Sequence, residues 1–238
     1  MLYTIAGKKD GFGSQYQAIM SGIAFCESKN YTYIHTPFNK MEHDVDVDQL
    51  NEFIGIKQDI PINPYMNVFV EEYSGEVHYA PRPSVYYTPS VLQKIRDYYY
   101  STVKPIVPQV DIAIHIRRGD VNATETRRYT ANDVYFKIVK TLRKLYPFYK
   151  ITVFSEGQTS DFKELGLEDN CFVLNGDITK TFHSLVVAKI LITANSSLSY
   201  AAGLLNENTV YHDHEFWHRK MDNWIDLKNL IQLHDINI

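Results

Sequence analysis

The second half of the chain alternates short apolar strands with amphipathic helices, and this alternation constrains the fold more than any other feature. Strands are predicted at residues 111–116, 151–155, 171–174, 190–193 and 209–211. Helices are predicted at residues 131–146, 160–165, 179–188, 197–205 and around 221–233. Strand–helix alternation at these lengths is typical of a parallel, doubly wound α/β sheet.

The first half is less regular. Strands are predicted at residues 2–6 and 32–35, and helices at 15–29, 45–54 and 90–102. Residues 59–89 contain several prolines around apolar pieces at 67–70 and 76–79, so irregular chain with brief strands is expected there. Two prolines within residues 103–108 indicate a link between domains, with the boundary near residue 105.

Length and charge limit the function classes. A chain of 238 residues can bury one large core or two smaller ones. Its 24 Lys and Arg against 28 Asp and Glu give a net charge of −4, so no global basic field argues for nucleic acid as a partner. Any anion site must therefore be local.

Several features predict a soluble, cytoplasmic protein. The N-terminus lacks the basic-then-apolar organisation of a signal peptide, and no apolar stretch reaches the ~20 residues that a transmembrane segment needs. Cys26 and Cys171 fall in a predicted helix and strand, where reduced, buried thiols are expected.

The strand predicted at residues 111–116 is followed by the adjacent cations Arg117 and Arg118. In open α/β sheets, ligands bind at the carboxyl ends of the strands, and two guanidinium groups there suit a diphosphate. The alternative is a surface strand end whose arginines pair with Asp120 and Glu125.

Polar residues also follow the later predicted strands and are expected to converge with Arg117. Ser196 and Ser197 stand at the start of a predicted helix, where hydroxyl and backbone donors and the helix dipole favour phosphate. Asp177 could accept hydrogen bonds from a base or a ribose. Taken singly, these three residues are also ordinary helix caps.

Four segments resemble the inverting fucosyltransferases, in the form of the bacterial and animal α-1,2-fucosyltransferases and their relatives. His115-Ile116-Arg117-Arg118-Gly119-Asp120 matches the family's His-x-Arg-Arg-x-Asp motif. Residues 182–202 look like its second signature, Phe154-Ser155-Glu156 is similar to its Phe-Ser-Asp segment, and residues 11–15 are similar to its Gly-Phe-Gly-Asn-Gln loop. The resemblance covers the second half well and the first half only at its start.

The resemblance implies a GT-B-like α/β enzyme in which two Rossmann-like domains face a cleft, the N-terminal one small and irregular. Residues 1–104 would be the acceptor-side domain and residues 105–238 the nucleotide-sugar-binding domain. Such an enzyme transfers a sugar with inversion to a hydroxyl of an oligosaccharide or other glycan acceptor. It needs no metal and no cofactor, because the nucleotide sugar, GDP-fucose by default, is a co-substrate.

The resemblance also assigns residues. Arg117 would neutralise the departing diphosphate, with Asp120 and Asp10 as further catalytic residues and Arg118 in a supporting or structural role. The donor-binding residues would be His115, Arg118, Gly11, Gly13, Gln15, Ser155, Glu156, Asp177, Asn195, Ser196 and Ser197. The general base is left open among Asp10, Glu42, His43, His115 and Asp120, and a salt bridge of Asp10 with Lys8 or Lys9 is equally expected.

Departures from the family leave the donor open. Ser14 replaces the usual Asn, and Tyr200-Ala201 replaces a common Trp-Trp pair. UDP-xylose or a GDP-deoxysugar are therefore alternative donors. A non-catalytic nucleotide-sugar or glycan-binding protein is the alternative from another class, because a fold does not guarantee turnover. Adhesion through Arg118-Gly119-Asp120 would need a secreted protein, which the sequence does not indicate.

Overall fold

The chain forms two compact units, Met1–Lys104 and Pro105–Ile238. A computed structural model describes residues 1–42, 45–57, 67–124, 127–213 and 216–236. Each unit contains a parallel sheet covered by helices, so the α/β class predicted from the sequence is confirmed. The donor and acceptor roles of the two units stay predictions.

The first unit is built on a three-stranded parallel sheet in the order β2-β1-β3. Its elements are β1 (Leu2–Ile5), α1 (Phe12–Lys29), β2 (Thr32–Tyr33), α2 (Val47–Ile54), β3 (Val68–Glu71), α3 (Gly75–His78) and α4 (Pro89–Tyr100). A 3₁₀ turn, Pro83–Val85, lies between α3 and α4. The small, irregular character expected of this half is thereby confirmed.

One predicted strand of this unit is wrong. The sequence predicts extended chain at residues 76–79, but Gly75–His78 forms a single helical turn. The backbone N–H of His78 donates to the carbonyl of Ser74 at 2.8 Å, which is the spacing of an α-helix. Glu76 lies in this first turn, where a negative charge favours a helix.

Helix α1 is buried on nearly all sides because it packs against β1, β2, α3 and α4. Ile19 and Ile23 lie inside as their spacing predicts, and the polar Gln17 is buried as well. Gly22 allows the helix to approach the sheet closely. A Cβ atom at this position would collide with Ile5 and lie 3.2 Å from the ring of Tyr33.

The second unit is built on a six-stranded parallel sheet in the order β6-β5-β4-β7-β8-β9. Its elements are β4 (Ile112–His115), α5 (Asn132–Leu145), β5 (Ile151–Ser155), β6 (Phe172–Leu174), α6 (Ile178–Val187), β7 (Ile190–Ile192), α7 (Ser197–Leu205), β8 (Thr209–His212), β9 (Ile225–Asp226) and α8 (Lys228–Ile236). Two 3₁₀ segments, Thr159–Leu165 and Asp169–Cys171, lie between β5 and β6.

Most predicted elements of this unit are confirmed to within one or two residues at each end. The exception is the helix expected around residues 221–233, where β9 precedes a shorter helix. Ile225 pairs with Tyr211 of β8, so a contact distant in sequence extends the sheet where local pattern favours a helix. Asp226 then accepts a hydrogen bond from the backbone of Lys228 at the start of α8.

The strand order reverses between β4 and β7. Strands β4, β5 and β6 run outward on one side, and β7, β8 and β9 run outward on the other. This is the order 3-2-1-4-5-6 of dinucleotide-binding sheets, in which the loops at the reversal diverge to opposite faces and leave a crevice at the carboxyl ends. The topology therefore places the expected ligand site beside the ends of β4 and β7.

Strand β4 is buried on both faces. Ile112 and Ile114 contribute to a core that includes Ile138 and Leu142 of α5, and Ala113 on the opposite face is also buried. Parallel strands are covered by helices on both sides, which explains this burial. Helices α6 and α7 pack against each other, and α5 packs against α8.

The two cysteines differ in their surroundings. Cys26 is buried in α1, as expected. Cys171 ends a 3₁₀ turn and is half-buried, so the expectation of a buried strand thiol is wrong there. Across the described ranges, no helix combines the length and the apolar composition needed to cross a membrane.

Candidate functional site

The side chain of Arg117 connects the segments that follow β4 and β7, the two strands between which the strand order reverses. Arg117 follows β4, and its Nη1 donates to the Oγ of Ser196 at 3.0 Å, just beyond β7. Its Nη2 donates to Oδ2 of Asp120 at 2.6 Å. The side chain is 26% exposed, so the guanidinium stays accessible. The structure therefore brings together three predicted site residues from two loops.

The guanidinium of Arg117 retains donors for a further acceptor. An arginine has five N–H donors, and Ser196 and Asp120 take one each. Within the part of the chain that the structure describes, the buried Nε of Arg117 has no hydrogen-bond partner. The ion pair between Arg117 and Asp120 is partly exposed and therefore contributes little free energy. An anionic ligand can therefore compete with Asp120 for the guanidinium.

The start of α7 carries the two predicted serines. Ser196 caps the helix by accepting a hydrogen bond from the backbone of Leu198 at 3.3 Å. Ser197 is the first helical residue, and the first turn contains no acidic side chain. The positive end of the helix dipole is thus directed at the crevice without a carboxylate to neutralise it.

The hydroxyl of Ser197 is held by a histidine that the sequence analysis did not single out. Its Oγ lies 3.0 Å from Nε2 of His218, and Nε1 of Trp217 donates to the same nitrogen at 3.1 Å. An indole N–H only donates, so this Nε2 carries no proton and the hydroxyl of Ser197 points toward it. Ser197 therefore offers its backbone N–H, rather than its hydroxyl hydrogen, to a ligand.

The guanidinium of Arg118 contacts the backbone and not the guanidinium of Arg117. Its guanidinium donates to the carbonyls of Arg117 and Thr130, at 2.7 and 2.9 Å, and to Oδ1 of Asn132 at 2.7 Å. It also stacks on Tyr129, with 4.3 Å between Cζ and the ring centroid. The two guanidinium groups therefore do not act together on one ligand, contrary to the prediction from the sequence. Arg118 instead closes the loop that follows β4.

His115 lies at the end of β4 and is 7% exposed. Burial, followed by the charge of Arg117, lowers its pKa to about 3. The imidazole is therefore neutral near neutral pH and is a weak general base. Its Nδ1 has no hydrogen-bond partner among the described residues, which is unusual for a buried polar atom.

Ser155 is the last residue of β5, Glu156 follows it, and both lie against the loop that carries Arg117. The hydroxyl of Ser155 donates to the carbonyl of Ile116 at 2.8 Å. Gly119 has a φ of +78°, and a Cβ atom there would collide with the carboxylate of Glu156. Both predicted residues thus lie beside this loop.

Asp177 and Asn195 occupy the remaining predicted positions of this unit. Asp177 caps α6, accepting hydrogen bonds from the hydroxyl of Thr179 at 2.6 Å and the backbone of Lys180 at 2.9 Å. The Thr179 hydrogen bond is the main reason why the pKa of this carboxyl is lowered. This is the cap role that the sequence allowed. Asn195 is half-buried and directly precedes Ser196.

Asn175, near Asp177, links two loops through its side chain. Its amide oxygen accepts from the backbone N–H of Gly157 at 3.1 Å, and its amide nitrogen donates to the Gly157 carbonyl at 2.9 Å. These bonds join the segments that follow β5 and β6. They rigidify the edge of the sheet beside the candidate site.

Asp10 in the first unit forms the salt bridge that the sequence allowed. Its Oδ2 lies 2.7 Å from Nζ of Lys8, which also donates to the hydroxyl of Ser14 at 2.9 Å. Among the other candidate bases, Glu42 is exposed, and His43 lies outside the described residues. Glu125, the predicted partner of the arginine pair, also lies outside them.

Gln15 holds the loop between β1 and α1. Its side-chain nitrogen donates to the carbonyls of Asp10 and Lys40, at 2.6 and 2.9 Å, and the residue is buried. Gly11 directly precedes α1, and Gly13 is buried in its first turn. These contacts give Gln15 a structural role, and donor binding by the glycine loop stays a prediction.

The residues that sequence reasoning missed lie beyond β8 and in the loop after β4. His218 contacts Ser197, Trp217 donates to His218, and Arg128 lies with its Cζ 5.5 Å from the ring centroid of Trp217. The sequence indicates Trp217 and His218 in part, because they follow a predicted strand, and residues in that position are candidates elsewhere in the chain. Over the described residues, no group of three His, Cys, Asp or Glu side chains could hold a metal ion, and metal independence stays a prediction.

Comparisons with known proteins find distant structural likenesses. No family model matches the sequence, and no curated protein matches it. Among solved structures, E. coli heptosyltransferase WaaC with ADP-2-deoxy-2-fluoro heptose is 8% identical, with 100% of each chain covered and a TM-score of 0.42. E. coli WaaC with ADP is 10% identical, covering 94% of this chain and 71% of that one, with a TM-score of 0.39. Similarity at this level identifies neither a donor nor an acceptor.

Proposed function

We propose that the chain is an inverting glycosyltransferase that moves a sugar from a nucleoside diphosphate sugar to a hydroxyl of a glycan. The observation that supports this most is the bridge from Arg117 to Ser196, which joins an accessible cation to the start of α7 where the strand order reverses. The same residues belong to the two segments that resemble the fucosyltransferase signatures. On that resemblance GDP-fucose is the proposed donor, with UDP-xylose or a GDP-deoxysugar as alternatives.

The proposed reaction breaks the bond between the anomeric carbon and the diphosphate as the acceptor oxygen attacks from the opposite side. Negative charge then develops on the departing phosphate oxygen. Arg117 and the backbone N–H groups at the start of α7 would stabilise this charge, and a preorganised cation requires no divalent metal to do so. Asp120 positions the guanidinium through its 2.6 Å hydrogen bond. The proton of the acceptor needs a base, which stays open among the candidates named from the sequence.

The first test is calorimetric titration of the full chain with GDP, UDP, ADP, GDP-fucose and UDP-xylose. Selective binding of GDP-linked ligands would support the fucosyltransferase-like proposal, and selective binding of UDP-linked ligands would keep the reaction and change the donor. Binding without turnover over a panel of glycan acceptors would favour the non-catalytic alternative. Failure to bind any nucleotide would contradict the proposal.

Arg117→Ala tests the catalytic assignment once a donor and an acceptor are found. Loss of one dedicated charge donor typically lowers kcat about 10² to 10³-fold, which corresponds to ~3–4 kcal/mol. Arg143→Ala is the matched control, because it removes the same charge from an exposed position on α5. Near-normal kcat in a folded Arg117→Ala protein would exclude the assignment. A chelator should leave the rate unchanged, and a loss that a divalent ion restores would contradict the metal-free mechanism.

A further inference from the structure

Arg117 alone cannot balance the charge of the proposed diphosphate. Its guanidinium is ion-paired with Asp120, so the pair is close to neutral. Arg118, the other cation of the motif, donates to Thr130 and Asn132 and stacks on Tyr129. A diphosphate carries several negative charges that must be balanced when it leaves water. A second cation other than Arg118 would therefore complete the site.

Arg128 is connected to the start of α7 by a chain of contacts. Its guanidinium lies over the ring of Trp217, with 5.5 Å between Cζ and the centroid, which is within the range of a cation–π interaction. Nε1 of Trp217 donates to Nε2 of His218 at 3.1 Å, and the same nitrogen lies 3.0 Å from Oγ of Ser197. The contacts thus run from Arg128 to the first residue of the helix.

The ring of Trp217, on which Arg128 lies, is held by buried residues. His218 is 1% exposed, and its Nε2 fixes the orientation of the indole through the N–H bond. The ring of Trp217 also packs on buried Phe216, with 4.2 Å between centroids. Among the residues that the structure describes, no carboxylate forms an ion pair with Arg128, so its charge is not neutralised in the way that of Arg117 is.

A second observation at this edge of the sheet is a buried polar atom that is unpaired within the described ranges. His115 is buried at the end of β4, next to Arg117, and its Nδ1 has no partner among the described residues. Leaving a buried polar atom unpaired costs free energy, and such atoms in native structures call for an explanation. A ligand group that enters the crevice would provide the missing partner.

We propose that Arg128, held by Trp217, is the second phosphate-binding cation of the donor site, and that Arg118 only positions the loop after β4. This inference rests on the proposed function. It assigns the two phosphates of the donor to cations from opposite ends of one loop, with Arg117 at its start and Arg128 near its end.

The test compares two adjacent arginines. The full chain and its Arg128→Ala and Arg127→Ala variants are titrated with GDP, UDP and ADP and with the corresponding nucleosides. Both variants remove one positive charge from an exposed position, so nonspecific effects on the electrostatic field are matched. Arg128→Ala should weaken nucleoside diphosphate binding about tenfold or more, as expected for a charged hydrogen bond. Nucleoside binding should stay unchanged, and Arg127→Ala should have a far smaller effect on either ligand.

Two further variants test whether Trp217 holds Arg128 and whether Arg118 only positions the loop. Trp217→Leu removes the ring and should reproduce part of the loss seen with Arg128→Ala, because the guanidinium is no longer held. Arg118→Ala should lower the melting temperature, since Arg118 closes the loop through its contacts with Thr130 and Asn132. Melting temperatures of all variants separate lost binding from lost folding.

The outcomes distinguish this inference from the proposed function. If the unmodified chain binds nucleoside diphosphates but Arg128→Ala and Arg127→Ala behave alike, the inference is wrong and the proposed function stands. If Arg118→Ala selectively loses diphosphate affinity at an unchanged melting temperature, the two roles are reversed and the inference is again wrong. If the unmodified chain binds no nucleoside diphosphate, the proposed function fails and the inference fails with it.

Discussion

Four buried histidines make the stability of both units sensitive to mild acid. Burial lowers the pKa of His35 and His78 in the first unit to about 4. In the second unit it lowers the pKa of His115 to about 3 and that of His212 to about 4. An unfolded histidine has a pKa of about 6.5, so between pH 6.5 and 4 the unfolded chain binds protons that the folded chain does not. The free energy of unfolding is therefore highest above pH 6.5 and falls as the pH drops below that value.

The size of the effect follows from the shifts. At pH 5, protonation stabilises each unfolded imidazole by about 2 kcal/mol, while the folded imidazoles remain largely neutral. With two such residues per unit, each unit should lose about 4 kcal/mol between neutral pH and pH 5. Domains of this size are typically stable by about 5–15 kcal/mol, so the loss is a large fraction of the total.

Carboxyl groups act in a separate pH window. The pKa values of Asp111 and Asp177 are lowered, mainly by hydrogen bonds from Lys189 and Thr179 respectively. Their stabilising contribution is present above the unfolded pKa of about 3.9 and is lost only as the pH falls through the folded value. Loss of stability between pH 6.5 and 5 therefore reports the histidines.

Urea unfolding at several pH values between 7.5 and 5 measures the change in the free energy of unfolding. Calorimetry in buffers of different ionisation enthalpy gives the number of protons taken up on unfolding. We expect about two protons per unit near pH 5. His115→Asn should reduce the uptake of the second unit by about one proton and leave the first unit unchanged. A free energy of unfolding that stays constant from pH 7.5 to 5 would refute the reasoning, because it requires these imidazoles to charge equally in the folded and unfolded chains.

Two glycine substitutions test the packing around the site. Gly203→Ala in α7 would place a Cβ atom 2.9 Å from the ring of buried Trp224, so overpacking of about 1–3 kcal/mol should outweigh the gain in helix propensity of about 1 kcal/mol and lower the melting temperature. An unchanged or higher melting temperature would contradict this. Gly119→Ala combines a φ of +78° with a clash against the Glu156 carboxylate, so it should displace the loop that carries Arg117 and weaken nucleotide binding measured by calorimetry. A second change, Glu156→Ala, should restore part of the affinity, and equal affinity in all three proteins would show that the loop is not coupled to the site.

The sequence predicted the second sheet well because local pattern and tertiary structure agree there. Strands such as β5 (Ile151–Ser155) are short apolar runs between helices, and central parallel strands require this composition. The pattern failed where a distant contact determines the structure. Pairing of Ile225 with Tyr211 creates β9, and nothing within residues 221–233 indicates that partner.

The candidate site was predictable to the level of the strand ends. A residue that directly follows a central strand must lie at the carboxyl edge of the sheet, which places Arg117 near Ser196 without knowledge of side chains. The direction of a side chain depends on what surrounds it. Arg118 turns away because Thr130 and Asn132 offer acceptors more than ten positions further along the chain, and adjacency in the motif cannot show this.

The same reasoning explains why a consecutive pair of arginines is a poor way to bind two phosphates at a strand end. Arg117 directs its guanidinium to Ser196, whereas Arg118 donates to the carbonyls of Arg117 and Thr130, so the two side chains do not act together. A loop that leaves the edge of the sheet and returns to it can present a second cation on the same side as the first. Arg128 meets this condition, because its contact with Trp217 connects it to Ser197 at the start of α7. The second cation of such a site should therefore be sought near the far end of the loop and not at the next position in the motif.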